Sequence, residues 1–222
     1  MVLFDDERIQ NIFVADTEEP FADLRGFHGR IQVDESMAQI ASRSEFFCFC
    51  RAGVAEKLAE STAFLPRNLS YCVKEAYRPL SIQRRSVNSV LNRYEKQYPD
   101  LSRDALLRKV YAYVAPESVA PHPTGGALDL TLVDENGTEL PMGTVFNADP
   151  AAVQNKTYTE TPLITGEEKR NREILGYALE KAGFVNYPSE WWHWSYGDRY
   201  WGFVKNTPAL YPQIEETGIY KK

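Results

Sequence analysis

Two histidines lie near carboxylates in segments that are predicted to be strands or tight turns. His122 stands seven residues before Asp129 in PHPTGGALD, and His193 stands three residues after Glu190 in SEWWHW. Two imidazoles and a carboxylate suit Zn²⁺ with a fourth position open to water. Zinc brings the pKa of that water towards neutrality, and a glutamate that does not bind the metal can accept the water proton. These residue types predict a metal-dependent hydrolytic site.

The spacing of Glu190 and His193 requires a bend. In a regular strand the two side chains would point to opposite faces, because their separation is odd. Pro188 and Ser189 lie just upstream, and we expect them to bend the chain so that both side chains approach one point. The alternative for His193 is a core strand with a hydrogen-bonded histidine, since tryptophan and histidine are often buried. The alternative for Asp129 is the polar face of a surface strand.

All four tryptophans of the chain lie between positions 191 and 201, around His193. We expect this aromatic surround to fix the imidazole and to keep water out of the site.

A cation completes the candidate set. Arg78, in KEAYRPL, ends a predicted strand immediately before Pro79. A guanidinium is permanently charged and presents a fixed fork of donors, so Arg78 could hold the oxyanion of a tetrahedral intermediate. The alternative is an ion pair with Glu75.

Composition bounds the class of protein. The chain has 222 residues, 43% of them hydrophobic, and a net charge of −6. We expect one domain over residues 1–222 and no nucleic-acid partner, because a phosphate-binding surface needs excess positive charge.

The cysteines give no sign of a disulfide-bonded scaffold. The chain has three of them, Cys48, Cys50 and Cys72, without the spacing of a disulfide framework, so we predict buried free thiols. The first residues are acidic and lack the pattern of a signal peptide, and no apolar stretch approaches the ~20 residues of a membrane helix. We therefore expect a cytoplasmic protein without a membrane partner.

The elements that must position these residues follow from periodicity and turn signals. We predict helices over about 51–62, 81–97 and 166–182, and another capped by Ser102 with Leu107 and Val110 in its apolar stripe. Strands are expected at 69–77 and within 124–140, where Asn136-Gly137 marks a hairpin that puts Leu140 on a returning strand. FVNY, WWHWS and YWGFV are expected to be short strands.

Two segments show no regular period. Residues 1–34 read as an arm packed on the domain, and residues 147–165 read as a possible active-site loop. Strands and helices do not alternate strictly, so the fold class is α+β, with a central, mostly antiparallel sheet flanked by helices.

Taken together, the segments APHPTGGALD, EWWH and AYRP resemble the zinc D-alanyl-D-alanine dipeptidases, the family of the vancomycin-resistance dipeptidases. The family pattern is S-x-H-x-x-G-x-A-x-D, a later E-x-W-H and an upstream G-Y-R-P. The positions that match are His122, Gly125, Ala127, Asp129, Glu190, Trp192, His193, Tyr77, Arg78 and Pro79. The resemblance covers about residues 50–203 and implies a DD-peptidase/Hedgehog-like fold.

By that resemblance, His122, Asp129 and His193 hold one Zn²⁺ per chain. Glu190 is the general base and Arg78 stabilises the transition state, while Asn147 and Trp192 are expected to contact substrate. The implied substrate is a free dipeptide, D-Ala-D-Ala or a close relative, which would otherwise enter peptidoglycan precursors.

Three positions depart from the family pattern. Ala120 replaces the serine of the first motif, Asn147 stands where the vancomycin-resistance members have the aspartate that helps hold the substrate amine, and Gly26 stands where a tyrosine is expected. Asp149 or an acid of the arm could replace the missing carboxylate.

Two other functions remain open on the sequence alone. The altered amine pocket suits a D,D- or L,D-carboxypeptidase or endopeptidase that trims longer peptidoglycan peptides. The other is a non-enzymatic binding domain with zinc as a structural staple, although such sites usually have four protein ligands.

Overall fold

The computed structural model describes residues 2–40 and 42–219. The helices in these ranges are α1 (Glu7–Gln10), α2 (Ala52–Ser61), α3 (Leu80–Gln97), α4 (Arg103–Tyr111), α5 (Gly166–Lys181) and α6 (Arg199–Lys205). The strands are β1 (Phe21–Asp23), β2 (Ile31–Val33), β3 (Phe49–Arg51), β4 (Ser70–Glu75), β5 (Ala127–Val133), β6 (Val185–Asn186) and β7 (His193–Ser195).

Within the described ranges the main sheet has five strands in the order β2-β4-β5-β7-β6. β2 runs parallel to β4, and the other neighbours are antiparallel. β1 and β3 pair separately as a short antiparallel ladder. The predicted α+β class with a mostly antiparallel central sheet is therefore confirmed.

β5 is the central strand, and all of its residues are buried. Leu128, Leu130 and Leu132 point to one face, as the alternation predicts, and belong to the main apolar core. That core includes Leu58 of α2 and Leu175 of α5, so helices cover this face of the sheet. The opposite face carries Asp129 and is buried as well, which sets the candidate site inside the protein.

Local sequence signals located most helices correctly. The Thr165 side chain accepts from the Glu168 amide while the Glu168 side chain accepts from the Thr165 amide, so α5 begins with the predicted capping box. Ser102 caps α4 by accepting from the Ala105 amide. The stripe predicted for α4 omits Leu106, which is buried beside Val110, whereas Leu107 is half-buried against the same cluster.

Two predicted strands are wrong. YWGFV lies in α6, because the Asp198 side chain accepts from the Trp201 amide and so begins a helix there. Leu140 lies outside any strand. The hairpin return pairs only at the bridge between Val133 and Glu139, although the Leu140 amide still donates to the Leu132 carbonyl.

The segment 1–34 contributes α1, β1 and β2, and β2 is an edge strand of the main sheet. The extent of the domain and the role of residues 147–165 as an active-site loop stay predictions. Over the described residues, no helix combines the length and apolarity needed to cross a bilayer.

Candidate active site

His122 lies in a turn that leads directly into β5. Residues His122–Thr124 form one turn of 3-10 helix, which ends at Gly125 with a left-handed φ of 71°. A Cβ at Gly125 would lie 2.5 Å from the Phe21 ring, so both the backbone conformation and the close packing require glycine there. The turn folds His122 back over the start of the strand, as PHPTGG predicts.

The register of β5 and β7 brings Asp129 beside His193. The two residues are direct partners in the antiparallel ladder, so their side chains share one face of the sheet. Asp129 Oδ1 lies 2.9 Å from His193 Nδ1, and Asp129 Oδ2 lies 3.3 Å from His122 Nε2. One carboxylate therefore lies between two imidazoles.

These three residues form a group whose ligand atoms all lie within 4.8 Å of one another. Asp129 is 3% exposed, which excludes the alternative of a strand face in water. His122 Nδ1 lies 2.7 Å from the Ala76 carbonyl, so this nitrogen is the donor and Nε2 is left with a lone pair for a metal. Two ring nitrogens and one carboxylate therefore lie close together in a buried site. This ligand set suits zinc, which would keep a fourth position for water.

The charges of this group depend on one another. Burial alone lowers the pKa of His122, but the Asp129 carboxylate outweighs burial and raises the pKa above its usual value. For Asp129, burial acts to raise the pKa, and the two imidazoles outweigh it and hold the pKa well below its usual range. The site therefore favours an ionised carboxylate.

Glu190 stands at the bend that the sequence predicts. The His193 amide donates to the Glu190 carbonyl in a turn before β7, and Glu190 Oε2 lies 4.0 Å from His193 Nδ1. Burial, followed by repulsion from the Asp129 charge, raises the pKa of Glu190 to about 8. A carboxyl group in this position can take up and release a proton near neutral pH.

Arg78 ends the segment after β4 and borders the same cavity. Its Nε donates to Glu75 Oε1 at 2.7 Å, and its Nη1 donates to Gln83 Oε1 at 2.8 Å. The ion pair with Glu75 is therefore present, and the Glu75 side chain is fully buried. The same guanidinium also faces the cavity that contains the three candidate ligands, so the two interpretations of Arg78 are compatible.

A cavity of about 460 Å³ surrounds the candidate residues. Its lining includes all three candidate ligands, Glu190 and Arg78, together with the predicted substrate contacts Asn147 and Trp192. Trp192 is buried and packs edge-to-face against Phe146, while Asn147 has a left-handed φ of 58°. The structure thus gathers every site residue predicted from the sequence around one space.

The positions that depart from the family pattern have clear locations. Ala120 is buried just before the His122 turn, and Gly26 lies in an exposed turn with positive φ. Asp149, considered as a replacement carboxylate, forms an ion pair with Arg93 at 2.8 Å.

The rings that pack against His193 differ from the expected ones. Phe4 and Tyr187 contact the imidazole edge-to-face at centroid distances of 5.8 and 6.0 Å. Trp191, expected on the side of His193, belongs instead to the apolar core, together with Trp192 and Trp194 as expected. The contact of Phe4 has no local sequence signal, because it joins positions 189 residues apart. Gln83, which contacts Arg78, was also missed, although it lies one helical turn from Pro79.

Comparisons with known proteins agree with the geometry. Residues 15–213 match the model of the family described as D-ala-D-ala dipeptidase. The chain is 30% identical over 192 residues to a D-alanyl-D-alanine dipeptidase of Synechocystis sp., covering 77% of each protein. It is 33% identical over 116 residues to one of Enterococcus faecalis, covering 50% of this chain and 54% of that protein.

Among solved structures, the chain resembles "VanYB in complex with D-Alanine-D-Alanine", with a TM-score of 0.46 and 12% identity over 92% of this chain and 96% of that chain. The family match spans most of the sequence and includes every candidate site residue from Arg78 to His193. The resemblance inferred from the motifs and the prediction of a peptidase are confirmed. The chain belongs to the D-ala-D-ala dipeptidase family of metallopeptidases.

Proposed function

We propose that this chain is a zinc-dependent dipeptidase that hydrolyses D-Ala-D-Ala or a closely related dipeptide. The observation that carries the proposal is the buried group of His122, Asp129 and His193, with the Glu190 carboxyl 4.0 Å from His193. The names of the two curated relatives support the choice of substrate.

In this proposal the three clustered residues hold one Zn²⁺ per chain, which supplies an acidic water and polarises the scissile carbonyl when bound. Glu190 accepts the water proton and passes it to the leaving amine. Arg78 donates to the oxyanion at the cavity wall, where the low dielectric strengthens the interaction. Asn147 and Trp192 line the space that the substrate would fill.

We also propose a cytoplasmic location and a role in the turnover of peptidoglycan-precursor dipeptides. The three cysteines are buried free thiols, which is usual in a reducing compartment.

A direct test is to remove metal with a chelator, restore Zn²⁺ and follow the release of alanine from D-Ala-D-Ala. We expect activity to disappear and return, and Glu190→Gln to lower kcat by roughly 10²–10⁴-fold without loss of bound zinc. Activity that persists both after chelation and in the Glu190→Gln variant would contradict the proposal.

The size of the cavity favours a second candidate, a carboxypeptidase acting on longer peptides. Its lining runs along α3 from Ile82 to Arg93. The eleven helical steps from Ile82 to Arg93 rise ~16 Å, which is about the length of five extended peptide residues. A free dipeptide and its N-acetylated form separate the two functions: the dipeptidase requires the free amine, whereas equal rates would favour the carboxypeptidase.

A further inference from the structure

We propose that Ser195 and Asp198 position the His193 imidazole for metal binding, through a hydrogen-bond relay from the Asp198 carboxyl group, by way of the Ser195 hydroxyl, to Nε2 of His193. The inference rests on the proposed function, because it concerns the outer side of a candidate zinc ligand. Ser195 and Asp198 would act as positioning residues that contact neither metal nor substrate.

The two ring nitrogens of His193 face different neighbours. Nδ1 of His193 faces Asp129, while Nε2 faces the opposite way and lies 3.4 Å from Ser195 Oγ. His193 and Ser195 are two residues apart in β7, so their side chains share one face of the strand. A ring nitrogen binds a metal without its proton, so ligation through Nδ1 leaves the proton on Nε2. That N–H then donates to Ser195 Oγ.

The hydroxyl proton of Ser195 needs an acceptor of its own. A hydroxyl that accepts from Nε2 has its own proton to donate elsewhere. Asp198 is 1% exposed, and its Oδ1 accepts from the Trp201 amide at 2.9 Å. Its Oδ2 is buried and has no hydrogen-bond partner within residues 2–40 and 42–219. Burial raises the pKa of Asp198, and the Ser195 hydroxyl beside it acts in the opposite direction. A hydroxyl proton turned towards this carboxyl group satisfies both residues.

His122, the other candidate histidine ligand, also has a partner on its outer nitrogen. The outer nitrogen of that ring contacts the Ala76 carbonyl at 2.7 Å. Each imidazole therefore has an outer partner, one from the main chain and one from a side-chain relay. Such partners fix the ring and its tautomer, and their loss typically weakens metal binding by roughly 10–100-fold.

The simpler interpretation is that Asp198 only caps α6. Asparagine caps helices as well as aspartate does, so Asp198→Asn keeps the cap and removes the carboxylate. Ser195→Ala removes the hydroxyl, and Ser195→Thr retains one. The affinity of the metal-free full-length protein for Zn²⁺ can be measured against a chromophoric chelator, and the visible spectrum of the Co²⁺-loaded protein reports the ligand geometry.

We expect Asp198→Asn and Ser195→Ala to weaken Zn²⁺ binding by roughly 10–100-fold and to alter the Co²⁺ spectrum, and Ser195→Thr to recover affinity. Two matched controls should bind Zn²⁺ as the wild type does. Ser61→Ala removes another fully buried hydroxyl, and Asp6→Asn changes another capping carboxylate. Urea unfolding of each metal-free variant verifies that it is folded.

Unchanged Zn²⁺ affinity in folded Asp198→Asn and Ser195→Ala would overturn the relay and leave the proposed function intact. A wild-type protein that takes up no Zn²⁺ would instead overturn the proposed function, and the relay with it.

Discussion

At the scale of single residues, Arg78 shows how a half-buried guanidinium at the wall of the cavity is held by its neighbours. Its guanidinium donates to Glu75 and to Gln83, and Gln83 in turn donates to the Ala115 carbonyl at 2.7 Å. Ser42 also donates to Glu75 Oε1 at 2.7 Å. These contacts compensate the buried carboxylate and hold the guanidinium in one orientation. A rigid donor at the cavity wall needs no reorganisation when charge develops on a substrate oxygen.

The first prediction separates the two roles of Arg78. Arg78→Lys keeps the positive charge but lacks the fork of donors, so we expect kcat to fall by roughly 10²–10³-fold with a small change in stability. Arg78→Met leaves Glu75 buried without a counter-charge, and we expect it to lose a further ~3–5 kcal/mol of unfolding free energy. Steady-state kinetics and urea unfolding of both variants test this. Full activity in Arg78→Lys would show that the fork of donors is not used.

At the scale of elements, most local features are predicted from the sequence, whereas pairings between distant positions are not. The capping box of α5 and the turn at His122 depend on residues within a few positions, and both have the predicted geometry. The helix at YWGFV was missed because the aromatic residues suggest a strand, whereas the cap at Asp198 decides the outcome. The ladder register that pairs Asp129 with His193 joins positions 64 residues apart. No local pattern specifies that register.

Arg172 is an element-scale contact that the sequence does not reveal. It projects from α5 and donates to the carbonyls of Met142, Lys156 and Tyr158, with its guanidinium near the Trp191 ring. One buried side chain thus ties the irregular segment before α5 to the helix and to the aromatic core. This segment includes Asn147, so Arg172 supports one wall of the cavity.

The second prediction concerns this support. Arg172→Met removes the donors and leaves several carbonyls unpaired, so we expect a loss of about 3 kcal/mol in unfolding free energy. Relative to the wild type, amide hydrogen exchange should increase more between residues 142 and 159 than in the rest of the protein. Lys169→Met on the same helix is the matched control: Lys169 is largely exposed, and its loss should change stability by less than ~0.5 kcal/mol. An exchange pattern identical to the wild type would contradict this role of Arg172.

At the scale of the whole molecule, the candidate site joins parts of the chain that are far apart in sequence. His122 precedes the central strand β5, His193 lies on the neighbouring strand β7, and Phe4 packs against His193 from the beginning of the chain. The motifs identified the chemistry, because ligand types and spacing are local. They could not identify Phe4, since its contact with His193 depends on how the first residues fold onto the sheet.

In the proposed function a metal would link β5 to its neighbours across the centre of the fold, so its binding free energy would add to stability. A ligand that binds the folded state alone, at ~1,000 times its dissociation constant, raises the unfolding free energy by about 4 kcal/mol. The third prediction is that Zn²⁺ at this excess stabilises the wild type by about that amount in urea unfolding. His193→Ala removes a ligand and should lose most of the gain, whereas Glu190→Gln should keep it despite its low activity. An equal Zn²⁺ effect on His193→Ala and on the wild type would mean that the stabilising metal binds elsewhere.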